Sequence, residues 1–294
     1  MASRAAACEP LRSTVALFDL PYFDQILAGL EGKPESALAA AFQRHVHWGC
    51  FSKPDTVDDS LAAYVAAAEE LTARVCRAAG VGDGQRILDV GCGFGGTVEH
   101  LCERLRDCRL VGANIDLRQL AKAKREVPAR RGHDVAFALA DGCQLPFATG
   151  AFDAIIALEC IFHFKSRKAF FREAARVLRP QGRLVLTDFV LREGAQLAFG
   201  QWMMSGAVPP SPFYGPSNSA PPTARNYLRL ASTNKMRCIS DDDITANTLP
   251  TYPAMRRLYR EAGLEEGEAA TNYLEATAKE GFLQYHILAF APDG

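Results

Sequence analysis

No stretch narrows the folds open to this chain as much as Arg86-Ile87-Leu88-Asp89-Val90-Gly91-Cys92-Gly93-Phe94-Gly95-Gly96. Ile87, Leu88 and Val90 suit a short strand covered on both faces. Gly91, Gly93 and Gly95 remove side chains where backbone passes close to a ligand or takes positive φ. A helix is expected from about Gly96 and Thr97, with Val98, Leu101, Cys102 and Leu105 on one face. Its first N–H groups would point back into the turn. Gly91, Gly93 and Gly96 satisfy G-x-G-x-x-G, which dinucleotide sites also use, so that pattern alone does not decide the ligand.

The rest of the middle of the chain repeats the strand–turn–helix theme. Strands are expected at 109–115, 135–139, 152–158 and 183–190, and helices at 97–107, 117–129 and 167–178. In the last of these helices Phe170, Phe171, Ala174, Val177 and Leu178 face inward, and Pro180-Gln181-Gly182 ends it. Alternation of this kind predicts an α/β fold. The sheet would be doubly wound and mostly parallel, with right-handed crossovers and ligands at the carboxyl ends of its strands.

The flanks are less regular. Residues 1–80 read as an N-terminal helical cap, with helical spacing around Pro21 through Phe23, Ile26, Leu27 and Leu30. A long helix led by Asp58 and Asp59 follows, burying Leu61, Val65, Ala68, Leu71 and Val75. Between them lies Phe42-Gln43-Arg44-His45-Val46-His47-Trp48-Gly49-Cys50-Phe51, rich in aromatics and histidine. Its H-x-H pair, His45 and His47, lacks a third ligand at persuasive spacing, so no metal is expected. Residues 81–190 form the expected core and 191–250 a proline-punctuated, partly helical lid insertion carrying Trp202, Met203, Met204, Phe213 and Tyr214. Residues 251–294 complete the core, with a last helix through Met255, Leu258, Tyr259 and Ala262 and final strands at 264–270 and 282–290.

With 33 basic and 34 acidic residues the net charge is −1, which gives no polyanion-binding signature and no expectation of a nucleic-acid partner. Nine scattered cysteines without a C-x-x-C pair fit reduced thiols and a cytoplasmic location. No apolar run reaches the ~20 residues that a membrane span needs, and no signal peptide is read at the start.

The string Leu88-Asp89-Val90-Gly91-Cys92-Gly93-Phe94-Gly95-Gly96 resembles motif I of the class I S-adenosylmethionine (SAM) methyltransferases. That resemblance implies a Rossmann-like, seven-stranded sheet of order 3-2-1-4-5-7-6 with strand seven antiparallel. It implies SAM as cofactor and S-adenosylhomocysteine as product. The glycine turn would pass under the methionine part of SAM, beside Asp89. Asp141 sits where the family places an acid on the adenine amino group. The cofactor residues implied are Asp89, Gly91, Gly93, Asn114, Gln119, Asp141, Gly142 and Leu158. The family commonly has an acid at the end of strand two for the ribose hydroxyls. Here Asn114 stands there, so Asn114, Asp116 and Gln119 remain open for that contact.

Beyond strand four, Glu159-Cys160-Ile161-Phe162-His163-Phe164, and within strand five, Leu186-Thr187-Asp188, resemble the natural-product sugar O-methyltransferases. In that group a His serves as general base and an Asp supports it, positions matched by His163 and Asp188. The chemistry is sound on its own terms. A neutral imidazole can take a hydroxyl proton, and a carboxylate on its other nitrogen would fix the tautomer. The leading expectation is therefore methylation of a hydroxyl on a small-molecule acceptor of secondary metabolism. C-methylation of an isoprenoid or ring carbon, with Glu159 stabilising a cation or acting as base, stays open, as does N-methylation. A nucleotide-dependent oxidoreductase and a non-catalytic SAM-binding module are weaker alternatives. Neither the acceptor nor the oligomeric state is fixed by the sequence.

Overall fold

A computed structural model describes residues 21–56, 58, 60–206 and 221–293. The chain opens with helices α1 (Pro21–Gly32), α2 (Ala37–Ala41) and α3 (Leu61–Ala79). Then come β1 (Arg86–Val90), α4 (Gly96–Arg104), β2 (Arg109–Asn114), α5 (Leu117–Glu126), β3 (Asp134–Leu139) and β4 (Phe152–Ala157). A single 3-10 turn at Ile161–His163 precedes α6 (Arg167–Val177), β5 (Leu178–Leu191) and α7 (Gln196–Met204). The last part holds α8 (Ala224–Thr233), β6 (Met236–Asp243), α9 (Thr245–Thr248), α10 (Thr251–Ala262), α11 (Glu265–Lys279) and β7 (Leu283–Pro292).

Among the described residues the strands form one seven-stranded sheet in the order β3-β2-β1-β4-β5-β7-β6. β1 pairs in parallel with β2 and β4, and β7 runs antiparallel to both β5 and β6. The class I methyltransferase topology implied by the glycine motif is thus the one observed. Alternation along the central strands divides the core. Ile87, Ala154 and Ile156 pack with α3, α4 and α10 on one face. Leu88, Val90, Ile155 and Ala157 pack with Phe170 and Phe171 of α6 on the other.

Helix α1 runs over Pro21–Gly32 and carries Phe23, Ile26, Leu27 and Leu30, as the spacing predicts; residues 11–20 lie outside those described. Several expectations need correction. In α3 the N-cap is Ser60, whose hydroxyl accepts from Ala63 N. The buried stripe runs through Tyr64, Ala68, Leu71 and Val75, while Val65 is 39% exposed. The stretch 264–270 is helix α11, not a strand: Glu265, Glu266 and Glu268 fill its first turn, where carboxylates complement the helix dipole. The expected lid over 191–250 contains β6, a strand of the sheet, with α8 packed on it. β6 ends in Asp241-Asp242-Asp243, which strand propensity disfavours and an exposed edge strand accommodates. Phe213 and Tyr214 fall outside the described residues. No helix among the described residues is long and apolar enough to cross a membrane.

Candidate active site

The cleft lies where the sheet order reverses, at the carboxyl ends of β1 and β4. Its floor is the turn after β1, with φ of 73° at Gly91, 52° at Gly93 and 85° at Gly95. A Cβ on Gly91 would collide with the Cys160 side chain from the loop after β4, so that position is closed to other residues twice over. At Gly93 the nearest atom to such a Cβ would be Gln119 Oε1 at 3.9 Å, so that glycine faces open cleft.

Asp89, Gly91, Gly93, Asn114, Gln119, Asp141, Gly142 and Leu158, expected from separate strand ends, all line this one cleft, together with Glu159 and His163. Asp89 is 3% exposed, and its Oδ2 is buried without a hydrogen-bond partner. Burial pushes its carboxyl up to about 8, against the opposing pull of the Thr97 hydroxyl. Asn114 Oδ1 accepts from Ile115 N at 2.7 Å, and its Nδ2 donates to Gln119 Oε1 at 3.0 Å. That fixes the Gln119 amide and leaves its Nε2 buried without a partner. Asp116 is elsewhere: it caps α5 by accepting from Arg118 N at 2.8 Å and pairs with the Arg118 side chain. Asp141 Oδ1 accepts from Cys143 N at 2.7 Å, forming a tight turn at the cleft wall.

The roof comes from the segment before α3. Arg44, His45, Val46 and His47 line the cleft from above, joined by Phe23 of α1. Their rings make hydrogen bonds within the protein: His45 to Glu69 at 2.7 Å, and His47 to Trp48 O at 2.9 Å and Thr72 at 3.1 Å. Beyond this roof a second, smaller chamber opens, walled by Ile26, Phe42, Trp48, Tyr64, Phe162 and Tyr259. It shares Val46, His47, Glu159 and His163 with the cleft, so those four side chains stand at the junction.

Glu159 is held there with φ of 48°, an uncommon conformation for a non-glycine residue. Its Oε1 accepts from Trp48 N at 2.9 Å and from the Tyr285 hydroxyl at 2.5 Å, and its own N–H donates to Thr187 Oγ1 at 2.8 Å. Burial pushes its carboxyl up to about 8 despite both donors. The His163 ring lies against Phe162, with centroids 4.3 Å apart, and against Phe23 at 6.0 Å.

The expected support of His163 by Asp188 is not formed. Asp188 Oδ1 accepts from Phe189 N at 2.8 Å, and Oδ2 accepts from Arg167 Nη2 at 3.0 Å and from the Tyr227 hydroxyl. Asp188 is 1% exposed and borders neither cavity. It ties β5 to α6 and α8. Arg167 begins an amphipathic helix and Tyr227 lies in α8, within the stretch whose sequence period is lost, so neither gave a sequence signal of this contact. Tyr285 lies on the last strand, where an alternating strand pattern does not show which distant side chain its hydroxyl meets.

The family model described as a methyltransferase domain matches residues 88–186. Methyltransferase GfsG of Streptomyces halstedii is 35% identical over 253 residues, covering 84% of each chain. The chain belongs to the class I SAM-dependent methyltransferases. A second relative of this methyltransferase, the 27-O-demethylrifamycin SV methyltransferase of Amycolatopsis mediterranei, is 37% identical over 135 residues, 46% of this chain and 49% of that one. Among solved structures, the [4+2]-cyclase SpnF superposes with a TM-score of 0.70 at 21% identity, covering 94% of this chain and 95% of that one. A geranyl diphosphate methyltransferase does so with 0.68 at 21% identity, covering 92% and 99%. At such identities these two speak for the fold alone.

Proposed function

We propose that this methyltransferase methylates a hydroxyl group of a small, uncharged acceptor of secondary metabolism, with His163 as the base. The observation that carries the reading is the junction. His163 borders both the cleft over the glycine turn and the aromatic chamber, which is where a group must stand to act on an acceptor while the donor lies in the cleft.

The cleft's chemistry fits SAM. Gln119 Nε2 offers an unused donor and Asp89 Oδ2 an unused acceptor, as a ligand bearing ribose hydroxyls and a cationic amino acid part needs. Asp89, Gly91 and Gly93 would hold the methionine part, Asn114 and Gln119 the ribose, and Asp141, Gly142 and Leu158 the adenosine. Of the alternatives for the ribose, Asp116 is disfavoured because its carboxylate caps α5 and pairs with Arg118. When bound, SAM supplies a methyl group already activated on a sulfonium. The chain's part is to orient the acceptor, keep water out and accept the hydroxyl proton at a His163 ring nitrogen. Positioning contributes ~7–11 kcal/mol in favourable cases, and a base about 10²–10⁴-fold. Confinement between roof and chamber therefore outweighs the proton transfer.

The aromatic and aliphatic walls of the chamber, Ile26, Phe42, Trp48, Tyr64, Phe162 and Tyr259, support an uncharged acceptor. Among the described residues the chamber carries no Arg or Lys, whereas a diphosphate calls for several. Relatives named as O-methyltransferases favour oxygen over carbon as the accepting atom. C-methylation keeps one observation in its favour, the buried Glu159 at the same junction, which could face a developing cation.

The test is single-turnover methyl transfer with isotopically labelled SAM, followed by product analysis. His163→Ala should bind SAM as the parent does and transfer about 10²–10⁴-fold more slowly. Unchanged single-turnover chemistry in that variant removes His163 as base. A label found on carbon, with Glu159→Gln inactive and His163→Ala active, establishes the second reading instead.

A further inference from the structure

We propose that Glu69 is a cofactor-positioning residue. Its carboxylate is the hub of a polar latch that holds segment 44–48 down over the donor cleft and sets how long SAM and S-adenosylhomocysteine are retained. The inference rests on the reading that this cleft holds SAM.

Glu69 lies on α3 and touches neither cavity. Its two oxygens nonetheless gather donors from both elements that bound the donor. From the roof, His45 Nε2 donates to Oε2 at 2.7 Å, with Arg44 Nε 3.8 Å away. From α4, whose N-terminus opens onto the glycine turn, His100 Nδ1 donates to Oε1 at 2.6 Å and Arg104 Nη2 lies 3.0 Å from it. A carboxylate only accepts, so both imidazoles must carry their proton on the nitrogen facing Glu69. Burial alone would raise this carboxyl, but the hydrogen bonds from His100 and His45 and the Arg44 charge hold it far below the usual range. It stays ionised, and bonds to an ionised acceptor are the stronger kind. A second row reinforces the first: Arg44 pairs with Glu99 at 3.3 Å and Glu103 at 3.1 Å, again on α4.

The contact so enforced is close. A Cβ on Gly96, the first residue of α4, would collide with Arg44 O and lie 2.5 Å from His45 Nδ1. The roof therefore rests directly on the helix start beside the turn. The ends of the segment have their own anchors. Cys50 N donates to Ala67 O at 2.8 Å, Phe51 N to Asn247 O at 2.8 Å, and Phe42 and Trp48 are buried. Those anchors survive without Glu69. What depends most on Glu69 is His45, in the middle of the segment, while Arg44 keeps Glu99 and Glu103; this middle is the part that must lift for a ligand lying between roof and turn to leave.

The test measures SAM and S-adenosylhomocysteine binding to the full chain by calorimetry, and product dissociation by stopped-flow fluorescence, for which Trp48 beside the latch is an intrinsic probe. Glu69→Gln keeps the shape and removes the charge. It should weaken both ligands by about tenfold or more and speed product release by a similar factor. Acceptor KM at saturating SAM should stay within about twofold, because Val46, His47 and Trp48 line the acceptor chamber while Arg44, His45 and Glu69 do not. His100→Leu should weaken retention in the same direction. His100→Asn, which restores a donor where Nδ1 stood, should recover most of it. Folded Glu69→Gln with parental ligand affinities and release rate overturns the proposal. If that variant does not fold, the His100 pair decides: parental retention in His100→Leu overturns it, and loss in Leu with recovery in Asn supports it. A parent chain that binds neither ligand overturns the cofactor reading itself.

Discussion

Asp89 and Glu159 show how one environment acts on two carboxyls. Both are buried at the cleft, and burial pushes each up to about 8, so both are largely protonated at neutral pH when the cleft holds no cation. A cationic ligand beside them favours the ionised form. SAM binding near pH 7 should therefore release protons, and SAM affinity should rise as pH goes from about 6.5 to 8.5 and then level off. Calorimetry in buffers of different ionisation enthalpy measures this directly; a release of zero would show that neither carboxyl senses the ligand. Asp89 was legible from its motif and Glu159 from its place after a strand. What no motif revealed is that Trp48 and Tyr285, far apart in sequence, meet on Glu159 Oε1. Hydrogen bonds between distant side chains leave no periodic trace in a sequence.

At the level of secondary-structure elements the clearest case is β5, whose Asp188 binds α6 and α8 through Arg167 and Tyr227. Removing one partner from a buried pair of this kind costs about 3–5 kcal/mol. Asp188→Asn should lower stability to denaturant by an amount of that order, with SAM affinity intact in the fraction that folds. Were Asp188 instead the orienting partner of His163, the same variant would keep its stability and lose its chemical step. The turn after β1 gives a second prediction. Gly91→Ala combines positive φ with a collision against Cys160, so displacement of the turn or the loop after β4 should abolish measurable SAM binding. SAM titration of the purified variant checks it. The sequence showed β1, α4, β2, α5, β3, β4 and α6 because each pairs an apolar period with a turn signal. It hid β6 and α11, an exposed edge strand rich in aspartate and a helix whose buried residues, Gly267, Ala270, Thr271, Glu275 and Thr277, include no large apolar side chain.

For the molecule as a whole, the buried acids and the latch pull stability in opposite directions with pH. Asp89 and Glu159 have folded-state values raised above their unfolded ones, so without ligand they oppose folding increasingly from about pH 4 to 8. Glu69 is held below its ordinary value, so its contribution is present above that value and is lost as pH falls below it. The ligand-free protein should thus be most stable near pH 5, and saturating SAM should raise the melting temperature more at pH 8 than at pH 5. Melting curves from pH 4 to 9, with and without SAM, test this; a flat difference between the two series would refute it. The glycine turn and the alternation of apolar strands with amphipathic helices were enough to set the doubly wound sheet and the place of the cleft, and the resemblance of the 88–96 string to motif I implied the family. Those features are local: burial on two faces, positive φ and helical period are written in neighbouring residues. The partner of Asp188, the aromatic chamber and the hub at Glu69 come from residues tens to hundreds of positions apart, and packing alone brought them together. Close packing selects such contacts from many that the same pattern of residues would allow.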